Sequence, residues 1–178
     1  MKRLFVALAG VGPVLAVIPP TPCVAASNNA TTVFPVDETT QLETHTLVDC
    51  HRATGSCDFT AGANLRTPDG VTGFPPGLWA RQSTEVRSTD RLTYLDVHAT
   101  GGPFTKVFKE GGPDVITTIY WGEGPPDKYQ TVGRIDSTDW RTGQPKTDTT
   151  VIVCAHIQVV YTGVNLTSPS TCAQTTFS

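Results

Sequence analysis

The chain has 178 residues, 38% of them apolar and 16% charged, and its 13 Lys and Arg against 16 Asp and Glu give a net charge of −3. That length suits one domain with a sizeable core. The mildly acidic balance argues against nucleic acid or an anionic membrane as the main partner, since both require a basic surface.

The first residues predict export. Lys2-Arg3 opens the chain, Leu4 to Ile18 supplies an apolar run, and Val24-Ala25-Ala26 offers small residues for cleavage before Ser27, so residues 1–26 read as a cleaved secretory signal. The run is too short, and too broken by Gly and Pro, to span a bilayer, and no later stretch approaches the roughly 20 apolar residues a spanning helix needs. The expected setting is secreted or extracytoplasmic, in the periplasm or cell envelope. Loss of Lys2 and Arg3 leaves 11 basic residues against 16 acidic, a charge of −5. Cys23 falls inside the signal, and Pro22 before it does not fit a lipoprotein site, which takes a small residue there.

Residues 27–38, rich in Asn, Thr and Ala without a steady period, read as a flexible leader, and 39–178 as a single β domain. In Gln41–Cys50, Leu42 and Val48 share a parity with Thr44 and Thr46. Cys57, Phe59, Ala61, Ala63 and Leu65 continue the alternation, with Asp58, Thr60, Asn64 and Arg66 facing the other way. The two segments form a predicted hairpin whose apolar sides agree. Thr67-Pro68-Asp69-Gly70 and Phe74-Pro75-Pro76-Gly77 are turns, with Pro presetting φ and Gly accepting a positive φ.

Further strands are predicted at Leu78–Arg87, Leu92–Ala99, Phe104–Lys109, Val115–Trp121 and Tyr129–Asp136, separated by Gly/Pro turns. The strongest is Val151–Thr162, with Val151, Val153, Ala155, Ile157, Val159 and Tyr161 on one face. Ser88-Thr89-Asp90-Arg91 predicts a cap for a short helix, and Ser137–Trp140 a further helical turn. About eight short strands between turns predict an all-β, antiparallel sandwich or barrel.

In an oxidising compartment, Cys50, Cys57, Cys154 and Cys172 imply two disulfides, for which three connectivities exist. Chain closure favours the local pairs Cys50–Cys57, across a hairpin tip, and Cys154–Cys172, which would add about 2.5 and 3 kcal/mol on the loop-entropy model. The crossed alternative adds more through longer loops but requires distant ends to meet first. No C-x-x-C pair points to metal.

Candidate chemistry is sparse. His45 and His51 lie about 20 Å apart along an extended strand, too far to share one ion. His98 and His156 could meet across a sheet. No histidine belongs to a metal-binding motif, there is no G-x-S-x-G turn, and the cysteines are committed to disulfides, so no metal or cofactor is expected. Asp136 and Asp139 near Trp140, and Glu123 and Asp127 after Trp121, offer carboxylates beside aromatic rings, the pairing used to hold and cleave sugars, although Asp in these contexts also starts turns. Trp79, Trp121 and Trp140 each sit beside a turn at a strand edge, with Phe74, Tyr120 and Tyr129 nearby. Gathered at one end they would form an exposed platform, and otherwise they plug the ends of a β core. Asn29-Ala30-Thr31 and Asn165-Leu166-Thr167 match the N-glycosylation sequon.

Asn64-Leu65-Arg66-Thr67-Pro68, Gly73-Phe74-Pro75, Leu78-Trp79-Ala80-Arg81-Gln82 and the end from Cys154 through His156–Tyr161 to Cys172 resemble uncharacterised small exported proteins of mycobacteria and related actinobacteria. The resemblance implies a cell-envelope or extracellular setting, in which the sequons are irrelevant, and brings no catalytic residues with it. The expectation is a secreted noncatalytic binding protein for an envelope lipid, glycan or protein partner, using Trp79, Trp121 and Trp140. Its rivals are an extracellular hydrolase using Asp136, Asp139, His98 or His156, and a structural or interaction protein of the envelope.

Overall fold

The computed structural model describes residues 28–178, so the predicted signal and Cys23 lie outside the described residues. Twelve strands follow one another: β1 (Asn29–Pro35), β2 (Gln41–His51), β3 (Ser56–Thr67), β4 (Gly70–Thr72), β5 (Trp79–Ser88), β6 (Thr93–Ala99), β7 (Thr105–Lys109), β8 (Val115–Trp121), β9 (Gln130–Asp139), β10 (Thr150–Tyr161), β11 (Val164–Thr167) and β12 (Thr171–Thr176). One 3-10 turn, Pro126–Tyr129, precedes β9. The strands form two six-stranded sheets. The first has the order β1-β2-β3-β9-β6 with β4 on β3, and the second has the order β11-β10-β5-β8-β7 with β12 on β10. Every pairing is antiparallel. The two sheets face each other in a sandwich-like arrangement that does not close into a barrel.

All eight predicted strands are present, and the predicted hairpin forms in register, with Leu42 opposite Leu65, Val48 opposite Phe59 and Cys50 opposite Cys57. The count of about eight is too low because β1, β4, β11 and β12 escape a search for apolar alternation. The flexible leader is likewise corrected: Asn29–Pro35 pairs along β2, with Thr32 opposite Thr44. Its β-branched Thr31, Thr32 and Val33 suit a strand, but at the edge of the sheet no residue of β1 is fully buried, which removes the periodic signal.

Neither predicted helix forms. The Asp90 carboxylate accepts from the Leu92 amide at 3.0 Å, an Asx-type contact that competes with helix formation, and Arg91 takes a positive φ of 55°. Ser137 stays in β9 opposite Leu95, its amide donating to Gly55 O at 3.0 Å and its hydroxyl to Lys146 O at 2.7 Å. Both disulfides have the locally favoured pairing, Cys50–Cys57 and Cys154–Cys172, and each joins residues directly opposite one another on neighbouring strands.

The core has two apolar halves. One gathers Val48, Phe59, Val86, Val97, Ile135 and Val153 with the Cys50–Cys57 disulfide; the other gathers Leu42, Leu65, Phe74, Tyr120, Tyr129 and Val159. A polar seam runs between them. Buried Gln82 of the second sheet donates from Nε2 to Ala61 O and to Thr131 Oγ1 of the first, both at 3.1 Å. The Thr118 and Tyr120 hydroxyls each lie 2.7 Å from that same Thr131 oxygen. Burying a polar group costs free energy unless it is paired, and here the pairing fixes one sheet over the other. Burial pushes the Tyr120 phenol far above its ordinary value despite the hydrogen bonds from Thr131 and Thr118.

Candidate functional site

The three tryptophans do not form one platform. Trp79 opens β5 and Trp121 closes β8, and the register sets them opposite each other, with Val160 of β10 opposite Trp79 on its other side. They are 36% and 39% exposed and occupy the outer face of the second sheet. Beneath this end, Phe74, Tyr120 and Tyr129 are core residues, with the Phe74 and Tyr129 rings edge to face at 4.8 Å. Lys128 seals the adjoining loop: its ammonium donates to Trp121 O, Gly122 O and Glu123 O at 2.6, 3.1 and 2.6 Å. Glu123 and Asp127 thus flank a closed turn.

Trp140 lies at the opposite end, just past β9, and is 68% exposed. The turn that carries it is built by Asp139, whose Oδ1 accepts from the amides of Arg141 at 2.8 Å and Thr142 at 3.0 Å. These bonds, Thr142 first and then Arg141, hold the Asp139 carboxyl below its ordinary range. The Asp139 carbonyl accepts from Gly143, and its amide donates to Gln144 O, both at 2.9 Å; Gly143 supplies the positive φ of 69° that the turn requires. The Trp140 ring rests edge to face on Tyr94 at 4.9 Å. Tyr94 arrives from β6 because it is opposite Thr138 in the β6–β9 pairing, and strand alternation turns it outward while Leu95 faces the core.

Two hollows meet at this indole. One, of about 460 Å³, is lined by Glu85, Arg87, Arg91, Tyr94, Asp114 and Trp140 among others. The second, of about 340 Å³, is lined by Arg91, Leu92, Asp139, Trp140, Arg141 and Lys146. Lys146 is paired with Asp148 at 2.6 Å, and Arg87 lies 3.8 Å from Glu85. The guanidiniums of Arg91 and Arg141 have no ion-pair partner among the described residues. Trp140 is marked in the sequence by its place beside a turn, whereas nothing local marks Tyr94, Arg91 and Arg141, which only the strand pairing and the two turns bring beside it.

The histidine and carboxylate candidates divide differently. His98 and His156 belong to different sheets, opposite Arg134 and Ser83 respectively, and do not meet across a sheet. His98 instead meets carboxylates: its Nε2 lies 3.3 Å from Asp96 and 3.5 Å from Asp136. Both carboxylates have cationic partners, Lys109 on Asp96 and Arg134 on Asp136 at 2.8 Å. His98, Lys109 and Arg134 border a third hollow, of about 610 Å³, between β6 and β7, whose floor includes Val97 and Ile116. His45 and His51 point to separate neighbourhoods, His51 lying 3.3 Å from Asp58. Asp139 shapes a turn and does not join Asp136. Among the described residues no group of three or more His, Cys, Asp or Glu is arranged to hold a metal ion, and no helix is long and apolar enough to cross a membrane.

No family model and no curated protein matches the chain. Solved structures similar to it include one described as "pH-induced modulation of Streptococcus parasanguinis adhesion by Fap1 fimbriae", with 8% identity over 84% of this chain and 89% of that one and a TM-score of 0.32. Another is a yeast GGA1 GAE domain, with 5% identity over 83% of this chain and 98% of that one and a TM-score of 0.24. A third is described as a pore-forming protein, with 7% identity over 82% of this chain and 88% of that one and a TM-score of 0.26. At these scores none of the three bears on function.

Proposed function

We propose that this is a secreted, noncatalytic binding protein of the cell envelope or extracellular space, and that it takes its ligand at the Tyr94–Trp140 hollows. The observation that carries this reading is Trp140 itself: a large aromatic side chain left 68% exposed, yet held by a hydrogen-bonded turn and braced on Tyr94. Amphipathic rings presented this way are contact residues, because they offer area at little cost in conformational entropy. The hollow of about 460 Å³ falls within the roughly 300–1,000 Å³ typical of small-ligand sites. Two disulfides fit an oxidising setting. The test is fluorescence titration of the double variant Trp79→Phe/Trp121→Phe, in which Trp140 alone reports, with short soluble oligosaccharides. Saturable change that Tyr94→Ala weakens at least tenfold supports the reading, and a flat response throughout counts against it.

One observation favours a hydrolase as the second reading, namely the approach of His98 to Asp96 and Asp136. Turnover of chromogenic glycosides or esters that His98→Ala abolishes would raise it above the first. Lys109 and Arg134 already neutralise those carboxylates, so the arrangement serves an ion-pair network that joins the edge strands β6 and β7 more readily than it serves proton transfer.

A further inference from the structure

Resting on the binding reading above, we infer that the ligand at Trp140 is an acidic sugar: a pyranose ring whose apolar face stacks on the indole and whose carboxylate is taken by Arg91 and Arg141. Three features converge on that chemistry.

First, the cations are available. Arg91 borders both hollows and Arg141 borders the second, and neither has an ion-pair partner among the described residues. A guanidinium presents a planar fork matched to a carboxylate, in a geometry that an ammonium cannot offer. Nearby Lys146 is already engaged by Asp148.

Second, the backbone that carries the cations is held in position. Arg91 sits at φ 55°, a conformation that costs a non-glycine residue free energy and concentrates at ligand contacts. The Asp90 carboxylate fixes it from the next residue through Leu92 N and the Thr93 hydroxyl, at 3.0 and 3.2 Å. Arg141 is fixed in the same manner, by its own amide donating to Asp139. Two Asx-type turns therefore border the same hollow as the indole, each carrying an arginine.

Third, the lining includes hydrogen-bond acceptors. Glu85 and Asp114 line the larger of the two hollows together with Trp140, and a carboxylate is an acceptor suited to sugar hydroxyls. A ring with an apolar face, several hydroxyl donors and one carboxylate meets all three features together. A plain anion uses only the arginines, and a neutral sugar leaves them unused.

The experiment titrates the Trp79→Phe/Trp121→Phe protein with tetragalacturonate, with the neutral tetramer maltotetraose, and with inorganic phosphate at matched charge and ionic strength. The expected result is saturable binding of tetragalacturonate, at least tenfold weaker binding of maltotetraose, and no displacement by phosphate. Arg91→Gln/Arg141→Gln should bring the two tetramers to within about twofold of each other. Trp140→Ala, in a protein with Trp79 and Trp121 intact and followed by calorimetry, should weaken both. Equal binding of the tetramers that still depends on Trp140 overturns the acidic-sugar inference and leaves the site standing. Tetragalacturonate binding that ignores Trp140 overturns both. Displacement by phosphate reduces the arginines to a general anion site and overturns the inference, as does binding of neither tetramer. Thermal melting within a few degrees of the parent protein confirms that each variant folds.

Discussion

The two ends of the fold use the same residue types to opposite effect. At the Trp79–Trp121 end the tryptophans lie in register within strands, Phe74, Tyr120 and Tyr129 fill the space beneath, and Lys128 covers three loop carbonyls. At the other end Trp140 has left its strand, packs on the Tyr94 ring, and borders two hollows lined by Arg91 and Arg141, which have no ion-pair partner among the described residues. An aromatic residue beside a turn is therefore ambiguous by itself. Whether it closes a core or presents a surface depends on whether the chain around it continues in the sheet or breaks into a side-chain-capped turn.

Substitutions at each end should separate the two roles. The largest expected effect is at the closed end: Phe74→Ala removes a buried ring packed edge to face on Tyr129 and should cost about 3–5 kcal/mol in a urea denaturation, with ligand binding at Trp140 unchanged in the fraction that remains folded. Trp140→Ala should show the reverse, a stability change within about 0.5 kcal/mol and loss of binding. If both variants lose stability alike, the two ends are not distinct. Between them lies the seam. Thr131→Val leaves Gln82 Nε2 and the Thr118 and Tyr120 hydroxyls without their shared partner and should cost about 1–3 kcal/mol. A cost near zero would mean that the seam plays no part in holding the sheets together.

A smaller effect concerns pH. Burial lowers the pKa of His45, against the opposing pull of Glu43. The unfolded chain then takes up this proton at higher pH than the folded one, so stability is fully present above about pH 6.5 and falls as pH drops below it. His45→Gln should flatten that part of the stability–pH curve, and an unchanged slope would assign it to other groups. Trp140 is insulated from this range, because its supporting Asp139 carboxyl stays ionised to below the usual carboxylate range. Its turn should loosen only in stronger acid.

Much of the fold is legible in the sequence wherever one face of a strand is buried. The β2–β3 register and the inward face of β10 follow from alternation, and the disulfide pairing follows from chain closure. The strands that escape are edge or short ones: β1, β4 and β11 have no fully buried residue, so no period marks them. The polar seam escapes because Gln82, Thr118 and Thr131 read as surface residues until the facing sheet supplies their partners. The site is less legible still. Trp140 is visible as an aromatic residue beside a turn, but Tyr94 and Arg91 reach it only through the pairing of β6 with β9, which joins segments distant in sequence, and no local motif encodes that meeting.

The most direct measurement follows the three indole N–H signals of the nitrogen-15-labelled protein as tetragalacturonate is added, with each signal assigned by single Trp→Phe substitution. The Trp140 signal should move progressively to saturation while those of Trp79 and Trp121 stay in place. Movement at Trp79 and Trp121 with Trp140 unmoved would contradict it and transfer the binding surface to the opposite end of the fold.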